Sequence, residues 1–175
     1  MNLEIKFRKA VESDLTVIRN WIKINEFVKK WYYKGVIPSI KTLEKKIIKR
    51  QEIPNFYSFI ISINGRDIGY IQSYDVDGWG TWSRKVKVFD STVSLDYFIG
   101  DINYIHRGLG REIILEFVKQ HLSGGKYKYV TITPDIENKV NCRLCEKCGF
   151  YLEKIVNVPY NSSREKDAIY LKQIN

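Results

Sequence analysis

The chain has 175 residues, 44% hydrophobic and 28% charged, the proportions of a globular domain long enough to bury a core without disulfide staples. Its formal net charge is +9 and its pI about 9.4, but the basic residues (Lys29, Lys30, Lys45, Lys46, Lys49, Arg50, Arg84, Lys85 and Lys87 among them) are scattered rather than gathered in a tail. That spread leaves surface lysine or an anionic cofactor as the reading and weakens nucleic acid, for which neither a stacking nor a helix-turn-helix motif is present.

In chain order, Leu3, Ile5 and Phe7 alternate with charged residues and predict a strand. Because the opening MNLEIKFRKA reads as strand rather than signal peptide, and no apolar run approaches the ~20 residues of a membrane span, the expectation is a cytoplasmic protein with no membrane contact. Ser13 and Asp14 look like a helix start, followed by Leu15, Ile18, Trp21 and Ile22 at helical spacing. An aromatic stretch from Phe27 to Tyr33 comes next, and Ser39 or Thr42 caps a second expected helix carrying Leu43, Ile47 and Ile48. FYSFIISI at 56–63 is a strand, Asn64-Gly65 a hairpin turn, and Asp67 to Tyr74 the return strand. Residues 75–90 read as an excursion from the sheet. TVSLDYFI at 92–99 is a strand, Gly108 to Leu122 a helix, Tyr129 to Thr133 a short buried strand, and Asn138 to Lys147 a helix ended by Gly149. Tyr151 to Val158 and Ala168 to Ile174 are the last two strands. The order βααβββαβαββ implies an α/β chain: a mixed sheet of about seven strands flanked by about four helices, in one domain over residues 1–175.

The segment SLDYFIGDINYIHRGLGR, from Ser94 to Arg111, carries the most chemistry. A strand runs into a turn, Arg107-Gly108-Leu109-Gly110, and a helix begins there. Helix-start N–H groups lack intrahelical partners and carry partial positive charge, so the turn suits a pyrophosphate, with His106, Arg107 and Arg111 adding charge. Two glycines packing a helix start would look the same. The GK[ST] ending of a Walker A loop is missing.

Strand, RGLG, helix, strand, then Asn138 and Cys145-Glu146-Lys147-Cys148-Gly149-Phe150 resembles the acyl-CoA core of the GNAT superfamily, although Ile105 stands where that family usually has Gln or Arg. Gly69-Tyr70-Ile71-Gln72, Asp77-Gly78-Trp79, Leu95 to Gly100 and Asn103-Tyr104 narrow the resemblance to the aminoglycoside 6′-N-acetyltransferases, over nearly the whole chain. Siderophore-pathway acyltransferases share parts of the pattern.

The resemblance implies direct acetyl transfer from acetyl-CoA, as co-substrate, to a primary amine, without a metal. It makes Asp96 the group that faces the amine and takes its proton. From the residues alone, Asp96 reads first as an aspartate capping a strand bulge or pairing with a lysine. The resemblance also implies that backbone groups of Tyr97, Phe98 and Ile99 hold the pantetheine arm, that His106, Arg107, Gly108, Leu109, Gly110 and Arg111 take the pyrophosphate, and that Asn138 touches the cofactor. A plain helix N-cap explains Asn138 as well. Trp31, Tyr32, Gln72, Trp79, Asp135 and Asp167 fall at acceptor-side positions, with Trp82 a further aromatic candidate. Two departures stand out: Cys145 replaces a tyrosine proposed to protonate the leaving thiolate, and Thr133-Pro134 replaces an Asp-Pro pair that grips the cationic sugar, leaving Asp135 to compensate. Cys145 is thus a candidate proton donor, against the commoner role of a small buried cysteine. Cys142, Cys145 and Cys148 recur on one predicted helix, a spacing unlike the loop spacing of metal ligands, so no metal is expected. The expected partners are acetyl-CoA and a small amine, with the chain a monomer or homodimer. Another amine acceptor, or a CoA-binding or basic nucleic-acid-binding module without catalysis, are the alternatives.

Overall fold

The computed structural model describes residues 3–77, 83–84, 89–158 and 165–174. The strands are β1 (Ile5–Lys9), β2 (Phe56–Ile63), β3 (Arg66–Asp75), β4 (Thr92–Ile99), β5 (Tyr129–Ile132), β6 (Tyr151–Val158) and β7 (Glu165–Gln173). They form one sheet in the order β1-β2-β3-β4-β5-β7-β6. The helices are α1 (Leu15–Ile24), α2 (Glu26–Tyr33), α3 (Ile40–Leu43), α4 (Leu109–Phe117) and α5 (Lys139–Lys147). α3 runs on through a π-helical turn, Glu44–Ile48, and a tight last turn, Lys49–Glu52, while α4 ends in a π-helical turn, Val118–Leu122.

The mixed α/β sheet of seven strands agrees with the sequence reading. Among the described residues five helices are formed rather than about four, because the aromatic stretch folds as α2. The buried Asn25 makes this possible: its side chain accepts from Val28 N–H as an N-cap one residue after α1 ends, and Lys34 closes the helix in the left-handed region at φ 50°. Ser13 and Asp14 lie in a short 3-10 turn ahead of α1, and Asp14 accepts from Val11 N–H at 2.9 Å.

Register follows from turns and pleat. Asn64 and Gly65 both have positive φ, 49° and 80°, the backbone of a two-residue hairpin joining β2 to β3. β1 pairs antiparallel with β2 from Ile5↔Ile63 to Lys9↔Phe59. Gly100 N–H donates to Ile68 C=O (2.7 Å) and Val76 N–H to Thr92 C=O (3.2 Å), so β3 and β4 run antiparallel with Tyr70 opposite Phe98 and Gln72 opposite Asp96. β4 and β5 are parallel, but their register covers only Thr92–Ser94 against Tyr129–Thr131; β4 continues to Ile99 beyond it. β7 pairs antiparallel with both β5 and β6.

The chain divides into two compact units, Met1–Ser73 with Asp96–Ile113, and Tyr74–Leu95 with Ile114–Asn175. The first buries Leu15, Ile18, Trp21, Ile22, Leu43, Ile47, Ile60, Tyr70 and Phe98 in one cluster. Each such side chain contributes about 1.5–3 kcal/mol on leaving water. The second unit buries Val76 and Ile169 together, with Phe117, Leu122, Val130, Cys145, Phe150 and Leu171 also buried.

Candidate active site

Within the first unit, cross-strand pairing sets the carboxylate. Gln72 on β3 donates its Nε2–H to Asp96 Oδ2 at 2.7 Å. Tyr70, two residues back on the same face, donates its O–H to Gln72 Oε1 at 2.7 Å, and the Ser58 hydroxyl lies 2.8 Å from the Tyr70 oxygen. Ser58 and Tyr70 are each 1% exposed and Gln72 7%, whereas Asp96 is half-buried. A polar chain thus leads from the core to a carboxylate within reach of solvent.

α2 brings aromatic rings to this face. Asn25 Nδ2 donates to Ile99 C=O (3.1 Å) and Gly100 C=O (3.3 Å), which ties the start of α2 to the end of β4. Tyr32 packs edge-on against Phe98 at 4.9 Å between centroids and lies 5.3 Å from Tyr33. Burial pushes the Tyr33 phenol up, and the charge of Asp96 pushes it further, so Tyr33 stays protonated and close to that carboxylate. Trp31 is half-buried, 6.5 Å from Phe27, with the Lys30 ammonium 4.5 Å over its ring.

Two glycines in the recognised motifs serve strand approach. A Cβ on Gly69 would collide with Phe98 C=O of β4, and one on Gly100 with the Trp21 ring. Beyond Gly100, Asp101 shapes the next turn. Its Oδ1 accepts from Asn103 N–H and Nδ2–H, both at 2.9 Å, and Arg66 pairs with its Oδ2 at 2.8 Å. Burial pulls the Asp101 carboxyl up, but the Asn103 bonds and Arg66 together bring it below the usual value.

The turn into α4 leaves backbone open ahead of the helix start. His106 (φ 59°) and Gly108 (φ 76°) take left-handed backbone, and a Cβ on Gly108 would have open space around it. His106, Arg107, Gly108 and Arg111 are exposed, and Leu109 and Gly110 half-buried, at the start of a helix whose N–H groups favour an anion. Arg107 and Arg66 each lie 5.7 Å from the Tyr104 ring, and Arg111 pairs with Glu112 at 2.8 Å. Tyr97 and Ile99, half-buried, project from β4 opposite to Asp96 and the buried Phe98.

In the second unit, the Asn138 side chain accepts from Asn141 N–H at 3.2 Å, the N-cap of α5. Cys145 is fully buried, and burial first, then Cys148, Cys142 and Glu146, push its thiol up. Asp135 and Asp167 are joined by an isolated backbone bridge, and Asp135 Oδ1 accepts from Glu137 N–H at 2.8 Å. Trp79 and Trp82 lie outside the described residues. Among the described residues no group of three or more His, Cys, Asp or Glu is placed to hold a metal ion, and no helix is long and apolar enough to cross a membrane.

The structure therefore brings Asp96, Gln72, Phe98 and Tyr32 together. It adds Tyr33, Tyr70, Ser58 and Asn25, which sequence reasoning missed. Tyr70 stood inside a quoted motif, and Tyr33 closed the aromatic run; for Ser58 and Asn25 no linear signal existed.

Residues 10–158 match the family described as an acetyltransferase (GNAT) domain. An aminoglycoside N(6′)-acetyltransferase type 1 of Klebsiella pneumoniae is 22% identical, over 98% of this chain and 84% of its own length. The structure of AAC(6′)-Ib in complex with ribostamycin and coenzyme A superposes with a TM-score of 0.84 at 20% identity, covering 97% of this chain and 93% of that one. An aminoglycoside N(6′)-acetyltransferase from Legionella pneumophila gives 0.72 at 20% identity, over 99% and 94% of the two chains. At such identities the solved structures establish a shared fold.

Proposed function

This chain belongs to the GNAT acetyltransferase family, and from that premise we propose that it transfers acetyl from acetyl-CoA directly to the 6′-amino group of an aminoglycoside, a cytoplasmic resistance activity. The carrying observation is Asp96: a carboxylate on β4 held by Gln72 at 2.7 Å and close to Tyr33, with Tyr32 packed on Phe98 two residues along the same strand face.

The chemistry assigns roles to this chain's own groups. An alkylamine has a pKa of about 10 and arrives as a cation. Asp96 binds that cation, orients it and takes the proton that the amine must lose to attack. The aromatic faces of Trp31 and Tyr32 suit a cationic sugar. Bound acetyl-CoA supplies the activated thioester carbonyl. The positive-φ turn at His106 and Gly108, the α4 start and Arg107 suit its pyrophosphate. Backbone groups of Tyr97 to Ile99, past the last residue of β4 in register with β5, suit an extended arm and the charge developing on the carbonyl oxygen. Asn138, buried as the N-cap of α5, remains proposed as a cofactor contact, and Asp135 and Asp167 as acids for a polycationic acceptor. With Cys145 sealed and its thiol pushed up, the proposal gives protonation of the departing thiolate to water.

One observation favours a second acceptor class. α2 carries Lys29 and Lys30, Lys34 caps it, Lys30 already covers the Trp31 ring, and Thr133 replaces the expected aspartate. These cations and the missing acid favour an amine of lower positive charge, such as an amino acid or hydroxamate precursor. A thiol-release assay with acetyl-CoA over kanamycin, ribostamycin, polyamines and amino acids separates the readings. Kanamycin turnover that falls at least ~100-fold in Asp96→Asn is the expected result. Turnover confined to other amines replaces the acceptor, and undiminished Asp96→Asn activity ends the assignment of the carboxylate.

A further inference from the structure

We propose that Tyr70, seated by Ser58, is a positioning residue: it fixes the side-chain amide of Gln72 so that the nitrogen, not the oxygen, meets Asp96. The inference rests on the role given to Asp96 above and deepens it.

A glutamine amide has two nearly isosteric ends, one donating and one accepting. Facing an ionised carboxylate, only the nitrogen end is attractive; the oxygen end would place two acceptors together. Something must choose, and the choice is made one residue pair deeper. Tyr70 has a single O–H, and it donates to Gln72 Oε1 at 2.7 Å, which leaves Nε2 for Asp96. Whether Tyr70 can spend its proton that way depends on Ser58. The Ser58 hydroxyl is 2.8 Å from the Tyr70 oxygen and 3.4 Å from Ile47 C=O, so the shorter contact makes Ser58 the donor to Tyr70 and leaves the phenol proton for Gln72. Burial pushes the Tyr70 phenol up, which keeps it a donor at every working pH. Among the described residues, Tyr33 on α2 also feels the Asp96 charge, and Tyr33 and Arg50 both act on Tyr70.

Packing alone does not call for these hydroxyls. The Tyr70 ring lies in the apolar cluster 5.7 Å from Phe98, where phenylalanine would pack as well without burying polar atoms. Three polar side chains at 7% exposure or less, bonded in one line and ending on a half-buried carboxylate, form a directional chain. Held this way, the Asp96 carboxylate keeps one oxygen on Gln72, which fixes its orientation.

A double-mutant cycle tests it on the full chain, with kanamycin and acetyl-CoA as probes, or the amine that turns over best in the panel. Tyr70→Phe is expected to lower kcat about tenfold with KM for acetyl-CoA unchanged. In an Asp96→Asn background it is expected to cost nothing further, because the group it positions is gone. Ser58→Ala/Tyr70→Phe removes the stranded hydroxyl; it is expected to regain thermal stability without regaining kcat. Nitrogen-15 NMR of the Gln72 side-chain amide gives a readout that needs no acceptor, and Tyr70→Phe is expected to shift it. Equal losses in both backgrounds, kcat recovering along with stability, or an unmoved Gln72 signal would overturn the inference while leaving Asp96 its role. An Asp96→Asn variant of full activity would overturn both.

Discussion

Asp101 shows how much one carboxylate can do without touching a substrate. It takes two bonds from Asn103 and pairs with Arg66, fixing the turn that leaves β4. Its carboxyl sits below the usual value in the folded chain, so the unfolded chain binds the proton more readily. The stability it contributes is present above the unfolded pKa of about 3.9 and is lost as pH falls through the lower folded value. Asp101→Asn should cost about 1 kcal/mol at neutral pH, measured by urea unfolding, and the gap to wild type should close below about pH 4. At this scale the sequence was readable where a residue sat in a motif. Asp96 and Gln72 are such residues, and the structure joins them. Gly69 and Gly100 were visible too, although their reason, contact with Phe98 C=O and the Trp21 ring, lies in neighbours distant in the chain. The roles of Tyr33, Tyr70 and Ser58 stayed hidden because each is set by a side-chain neighbour, on another element or two residues along the strand, that leaves no period to read.

Among the elements, α2 carries the most consequence for so short a helix. Asn25 caps it through Val28 N–H and binds the carbonyls of Ile99 and Gly100, so one buried amide seats both the helix and the end of β4. Asn25→Ala should lose about 2–3 kcal/mol and lower Tm by about 4–12 °C in a thermal scan. Because Trp31, Tyr32 and Tyr33 ride on this helix, the acceptor KM should rise more than the acetyl-CoA KM. β2, β4 and β6 fall on the expected bounds, since alternation and an Asn-Gly turn are strong local signals. α2 escaped because eight residues hold too few turns for a helical period, and its cap follows α1 without a break. The π-helical turns after α3 and α4 escaped for a similar reason: one extra residue per turn does not disturb an apolar stripe.

For the molecule as a whole, charge is the property that composition states most directly. At +9 the chain attracts an anionic cofactor and repels a polycation at long range. Raising NaCl from about 50 to about 300 mM should therefore raise the acetyl-CoA KM about two- to fivefold, in steady-state assays, and leave a cationic acceptor's KM level or lower. The mixed sheet was legible from element order, since hairpins followed by alternating helix and strand admit few arrangements. The two compact units were not: β4 passes from one to the other between Leu95 and Asp96, and α4 between Ile113 and Ile114, so no linker composition marks the change.

Cys142, Cys145 and Cys148 are buried at 8%, 0% and 2% exposure. Sulfhydryl reagents therefore reach the innermost of them only when the chain opens. The uptake of a colorimetric disulfide by the resting protein counts openings, not turnovers. The enzyme carries an internal clock of its own unfolding, readable in the cuvette that monitors its reaction.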